Sequence, residues 1–211
     1  MKKINTFLIL SSDRLSQQAK TFLNLNDRSV MILIDKSNKI KRIFKLVFRR
    51  RLSVALILKM LLCELRRPRE NFSSPDSTQI FNNYDLLLLI KKYKPQRIIL
   101  FRTGLIINSK VIASGIPLLN IHCARLPDYS GLGAIAKAIK ENANNQCATL
   151  HEVTTSIDKG KVLDVEPYLI NQFSSYCENE MEAYRAGINL LSRTLSSGIK
   201  LKHDRNGQKV D

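Results

Sequence analysis

An amide, an imidazole and a carboxylate carry the chemistry in this chain. Asn120 and His122 stand two residues apart, directly after the apolar run from Ile116 to Leu119. Side chains alternate faces along a strand. Both would therefore point the same way at the carboxyl end of a buried strand, where open α/β sheets bind ligands. An amide can hold a carbonyl oxygen, and an imidazole can give or take a proton near neutral pH. Taken alone, the pair reads more simply as the polar ending of a strand, a common place for such residues. The downstream sequence shifts that balance. Asp158 lies in Ser156-Ile157-Asp158-Lys159-Gly160, a tight turn ahead of another short strand, 36 residues after His122. A loop, a helix and a strand fit in that interval, so the acid can return beside the imidazole. There it would favour the charged ring and fix its orientation.

Three motifs follow one another: Asn120-Ile121-His122, then Leu126-Pro127-Asp128-Tyr129-Ser130-Gly131, then Ile157-Asp158-Lys159-Gly160. In this order and spacing they resemble the formyltransferase family that uses 10-formyltetrahydrofolate. That family includes glycinamide ribonucleotide, methionyl-tRNA and sugar N-formyltransferases and formyltetrahydrofolate deformylase. The resemblance is good from roughly Lys94 to Ile170 and looser elsewhere. It implies an α/β, Rossmann-like three-layer fold with a mostly parallel central sheet, and a catalytic trio of Asn120, His122 and Asp158. It implies folate contacts at Arg102, Thr103, Gly104 and Leu105, mostly through main chain, and at Val153, Thr154, Thr155, Ser156 and Ile157 beside the pterin ring. The plainer reading of Arg102 to Gly104 is a strand-end turn that needs the glycine. Pro127, Tyr129 and Gly131 become the substrate loop. The co-substrate is 10-formyltetrahydrofolate, and no metal is required.

Composition bounds the rest. The chain has 211 residues, 44% hydrophobic and 25% charged, with a formal net charge of +16. One domain is the default at this length. The expected organisation is a catalytic domain over 1–200, a basic amphipathic insertion at about 36–70, and a polar tail at 201–211. The charge favours anionic partners. Cys63, Cys123, Cys147 and Cys177 form no CxxC pair and no metal-ligand spacing, so reduced thiols in the cytoplasm are the simplest expectation. Met1-Lys2-Lys3 is followed by too short an apolar core for a signal peptide, and no run is long enough to span a membrane.

The elements read in order are a strand over 4–10, a helix from 14 to about 25, a strand over 30–34, a helix over 85–94 and a strand over 97–101. A short helix at 109–114 follows, then the catalytic strand, a helix over 134–141, a strand over 147–153 and a closing helix over 178–197. Met181, Tyr184, Ile188 and Leu191 have the spacing to lie along the sheet. Asn71 to Asp76 reads as a loop. His151 reads as a strand residue with no partner. No Gly-x-Gly-x-x-Gly follows the first strand, although the helix start at Ser11-Ser12-Asp13 remains able to attract an anion. Between residues 36 and 70, Lys and Arg interleave with apolar residues at helical spacing, among them 54, 57, 58, 61 and 62. The favoured reading is an insertion whose apolar face packs on the domain. The alternative is a patch for an acidic membrane surface or a phosphate-bearing substrate. Nucleic acid is weighted low, because no aromatic platform accompanies the charge.

The acceptor follows by elimination. Methionyl-tRNA formyltransferases carry a further C-terminal domain and deformylases an N-terminal one, and neither is expected here. Glycinamide ribonucleotide formyltransferase has the glycine-rich phosphate loop that is missing. The expectation is formyl transfer to a primary amine on a nucleotide-linked or lipid-linked amino sugar. Glycinamide ribonucleotide-like, methionyl-tRNA-like and hydrolytic activities remain alternatives. The family often has Pro-Ser-Leu where Cys123-Ala124-Arg125 stands, and arginine where Ser130 stands. These departures keep open an inactive binding protein on the same scaffold, against which the retained trio argues. A homodimer is left open, and the expected location is cytoplasmic or peripheral at the inner face of the membrane.

Overall fold

The computed structural model describes residues 3–23, 27, 29–38, 43, 47–48, 52–68 and 77–196. The expected loop at 71–76, the polar tail, and the basic residues between 39 and 51 lie outside the described residues. The elements are β1 (Thr6–Ser11), α1 (Arg14–Leu23), β2 (Val30–Asp35), α2 (Val54–Arg66), β3 (Thr78–Ile80), α3 (Asn83–Tyr93) and β4 (Arg97–Phe101). There follow α4 (Ser109–Ile112), β5 (Leu118–His122), α5 (Ala134–Lys140), β6 (Asn145–Glu152), β7 (Val162–Leu169) and α6 (Tyr176–Ser196). One sheet runs β3-β2-β1-β4-β5-β6-β7. Its first five strands are parallel, and β6 and β7 are antiparallel additions. The fold is therefore α/β with a mostly parallel sheet, as expected. The short edge strand β3 had no sequence signal strong enough to stand out.

Burial on both faces explains the unbroken apolar reading of the central strands. Leu8, Leu10, Ile99 and Phe101 face one core with α1, α5 and α6, while Phe7, Ile9, Ile98 and Leu100 face a second core with α3 and α4. Local signals set the helix ends. Asn82 accepts from the Tyr84 and Asp85 amides at the start of α3, and Lys94 closes it in the left-handed region at φ 49° before Pro95.

The closing helix corrects one expectation. Leu191 is buried and Tyr184 and Ile188 pack on the core as expected, but Met181 is 43% exposed, and the small residues Ala183, Ala186 and Gly187 join Leu190 on the buried face. Closeness to the sheet is the reason. A Cβ on Gly187 would lie 2.6 Å from Cys123 Sγ and 2.9 Å from Phe101.

Helix α2 is fixed by its partners in distant parts of the chain. Cys63 is disulfide-bonded to Cys177, which overturns the expectation of reduced thiols for this pair, while Cys123 and Cys147 are free as expected. Arg67 forms a buried ion pair with Glu180, and Glu64 Oε1 accepts from the Arg14 amide at 2.6 Å. The favoured reading of the insertion holds for only part of its apolar surface. Leu56, Ile57 and Met60 are half-buried, whereas Val54, Leu58, Leu61, Leu62 and Leu65 are each more than half exposed.

Candidate active site

Strand β5 delivers Asn120 and His122 at its carboxyl end, both half-buried, as the alternation predicts. The antiparallel pairing of β6 then sets His151 opposite Asn120 and Thr149 opposite His122. His151 is therefore part of the site, and the reading of it as an unpartnered strand residue is corrected. Its Nδ1–H donates to the Glu152 carbonyl at 2.8 Å, which leaves Nε2 as an acceptor. The Asn120 amide donates to that Nε2 at 2.9 Å, so the imidazole sets the amide's orientation. Burial holds the His151 pKa below its ordinary 6.5, which keeps the ring neutral and able to accept. The available signal was a histidine on the strand running into the Asp158 turn; it needed the antiparallel register to acquire a meaning.

Asp158 sits in the left-handed region at φ 54°, a conformation aspartate tolerates better than most residues. The turn depends on Gly160, where a Cβ would lie 1.8 Å from the Glu152 carbonyl oxygen. The Gly131 amide donates to Asp158 Oδ2 at 2.8 Å. The carboxylate lies 3.8 Å from His122 Nδ1 and 3.6 Å from His151 Nε2. His122 Nε2–H donates to the Tyr129 carbonyl at 2.6 Å. In the neutral ring this leaves Nδ1 bare beside the carboxylate, arranged to take a proton that Asp158 then stabilises. Of the substrate loop, Tyr129 acts through its carbonyl and Gly131 through its amide. Pro127, joined to Leu126 by a cis peptide, is exposed.

The trio opens on a cavity of about 430 Å³. Its walls include Arg102, Thr103, Gly104 and Leu105 on one side and Val153, Thr154, Thr155, Ser156 and Ile157 on another. The Gly104 and Leu105 amides already donate to Asp35 Oδ2 at 2.6 and 2.9 Å, which takes these two donors of the group. Arg102 pairs with Asp13 at 3.0 Å and stacks 4.1 Å from the centroid of the Tyr184 ring. Burial alone would raise the Asp13 carboxyl, but the Arg102 guanidinium overrides it and holds the group below the usual carboxylate range.

The start of α1 is closed to anions. The Ser16 amide donates to Asp13 Oδ1 at 2.9 Å and the Arg14 amide donates to Glu64. Two carboxylates thus occupy the end left open to an anion in the sequence. Cys123 also lines the cavity, but burial pushes its thiol up to about 12, which removes it as a nucleophile near neutral pH. Among the described residues, no group of three or more His, Cys, Asp or Glu is placed to hold a metal.

A family profile described as formyl transferase matches residues 69–187, more than half of the chain. The chain belongs to that family. The methionyl-tRNA formyltransferase of Sulfurihydrogenibium sp. (strain YO3AOP1) is 26% identical over 133 residues, covering 62% of this chain and 42% of the relative. The chain thus spans about two fifths of the length of the curated relatives it matches. Among solved structures, phosphoribosylglycinamide formyltransferase from Anaplasma phagocytophilum superposes with a TM-score of 0.64 at 13% identity, covering 92% of this chain and 85% of that one. A 4-N formyltransferase from Francisella tularensis gives 0.63 at 15% identity, covering 92% and 69%. At such identities these formyltransferase structures share the fold.

Proposed function

We propose that the chain transfers a formyl group from 10-formyltetrahydrofolate to a primary amine. The observation that carries this is the convergence of the Asn120 amide, His122 and Asp158 at the wall of one cavity, with the amide oriented by His151. The folate co-substrate would lie between Arg102–Leu105 and Val153–Ile157. The amine nitrogen attacks the formyl carbon, and the carbonyl oxygen takes negative charge. Asn120 donates to that oxygen. His122 Nδ1 takes the amine's proton, and Asp158 stabilises the resulting imidazolium. The carbon–nitrogen bond to the folate then breaks, and the leaving nitrogen receives the proton from His122.

The acceptor we favour is an anionic amine, a nucleotide-linked or lipid-linked amino sugar. A second groove of about 990 Å³ adjoins the first through Gly131, Leu132, Gly133 and Ala134, and Lys59, Lys137 and Lys140 lie on its walls. With the start of α1 filled by Asp13 and Glu64, these lysines are the better place for a diphosphate. The test is tetrahydrofolate release from 10-formyltetrahydrofolate in the presence of a panel of amines. Release that depends on a nucleotide- or lipid-linked amino sugar supports the reading. Equal release without any amine would convert it to hydrolysis.

A further inference from the structure

Helix α2 carries three different surfaces around one axis. Cys63 and Glu64 face the protein, fastened to Cys177 and to the Arg14 amide. At a turn of about 100° per residue, Val54, Leu58, Leu61, Leu62 and Leu65 fall on one opposite stripe, each at least 51% exposed. Lys59 and Arg66, both exposed, border that stripe along one edge. Residues 36–70 hold twelve lysines and arginines against two acids, Glu64 and Glu70, so this segment accounts for most of the chain's +16. A soluble surface seldom leaves so many large apolar side chains contiguous on one helix without a partner. A site for a neutral apolar partner would not need the cations, and a phosphate site would not need the leucines. An anionic bilayer uses both: the leucines enter the acyl boundary while the exposed Lys59 and Arg66 meet the headgroups.

We propose that the exposed face of α2 docks this protein on a membrane surface rich in anionic lipid. The disulfide and the Arg67–Glu180 ion pair hold the helix with that stripe outward, so docking needs no rearrangement. Leu56 and Lys59 of the same helix line the groove that leads to the catalytic cavity. Docking would therefore set that groove at the bilayer, and a lipid-borne amine would enter it from the membrane. This last consequence rests on the formyl-transfer reading; the docking does not.

The test is co-sedimentation with vesicles of phosphatidylcholine, with and without phosphatidylglycerol, for the parent and for Leu58→Glu/Leu62→Glu. Circular dichroism checks that the variant folds, and Leu61→Ser/Leu65→Ser serves as a milder second variant. Because the readout is binding, it stands or falls independently of activity. The expected result is parent binding only where phosphatidylglycerol is present, weakened by salt, and falling at least about tenfold in the folded variants. Binding unchanged by the variants would overturn the role of the stripe. Absence of parent binding, or concentration-dependent self-association that the variants abolish, would overturn the membrane proposal and, in the latter case, assign the face to a second copy of the chain.

Discussion

The corner around Asn120, His122 and Asp158 and helix α2 use the same kinds of residue in opposite ways. Around Asn120, His122, His151 and Asp158 each polar group has a neighbour that fixes it, and the apolar residues beneath are buried. On α2 the fixing contacts lie on one face only, and five large apolar side chains remain in solvent on another. A site for chemistry needs groups held in place before the substrate arrives. A surface for a partner keeps its apolar area uncovered until the partner arrives. The difference argues that the two regions were shaped by different demands, and it can be attacked from either side.

The largest effect belongs to the corner. Asn120→Ala should lower kcat by about 10²–10³, the usual loss for one oxyanion donor, with the fold intact by circular dichroism. A loss below about tenfold would mean that the amide does not meet the reacting oxygen. Next comes the anchor of α2. Replacing Cys63 and Cys177 by serine opens a closure across 114 residues and should destabilise the protein by about 2–5 kcal/mol in urea unfolding. His151→Phe keeps a ring but removes the acceptor that orients Asn120. One hydrogen bond of about 0.5–1.5 kcal/mol corresponds to a two- to tenfold fall in kcat, with little change in KM. A change confined to stability would demote His151 to packing.

The same histidine gives a pH dependence. Burial depresses its folded pKa below 6.5, so below that value the unfolded chain binds a proton that the folded chain refuses. Stability should therefore be full above about pH 6.5 and decline as pH falls through the window between 6.5 and the folded value. His151→Gln should flatten that limb in pH-dependent urea melts. The smallest effect lies on α2 again. Leu58→Glu/Leu62→Glu should shift stability by no more than about 0.5 kcal/mol per site, as for other exposed positions. A buried Phe101→Ala, by contrast, should lose about 3–5 kcal/mol. A large loss from the leucine pair would mean that the stripe is covered within the protein itself.

The two regions were also unequally legible. The alternation that places Asn120 and His122 on one face is a property of five consecutive residues, and Asp158 announces itself by the glycine its turn requires. The parallel strands β1, β4 and β5 read directly as apolar runs, because burial on both faces leaves no room for polar residues. His151 was opaque because its meaning lies in the antiparallel register of β6 against β5, which no local pattern encodes. The disulfide and the Arg67–Glu180 pair were opaque for the same reason: their partners are more than a hundred residues apart. The start of α1 misled because a helix N-terminus is an anion site only while its amides are free, and Asp13 and Glu64 take them.

In the proposed reaction the cavity beside Asn120, His122 and Asp158 receives a formyl-folate. The most direct measurement is calorimetric titration of the protein with a stable 10-formyltetrahydrofolate analogue. Saturable one-to-one binding that survives Asn120→Ala is expected, because the walls at Arg102–Leu105 and Val153–Ile157 hold the ligand while the amide acts on the reacting oxygen. Absence of binding to well-folded protein would contradict it.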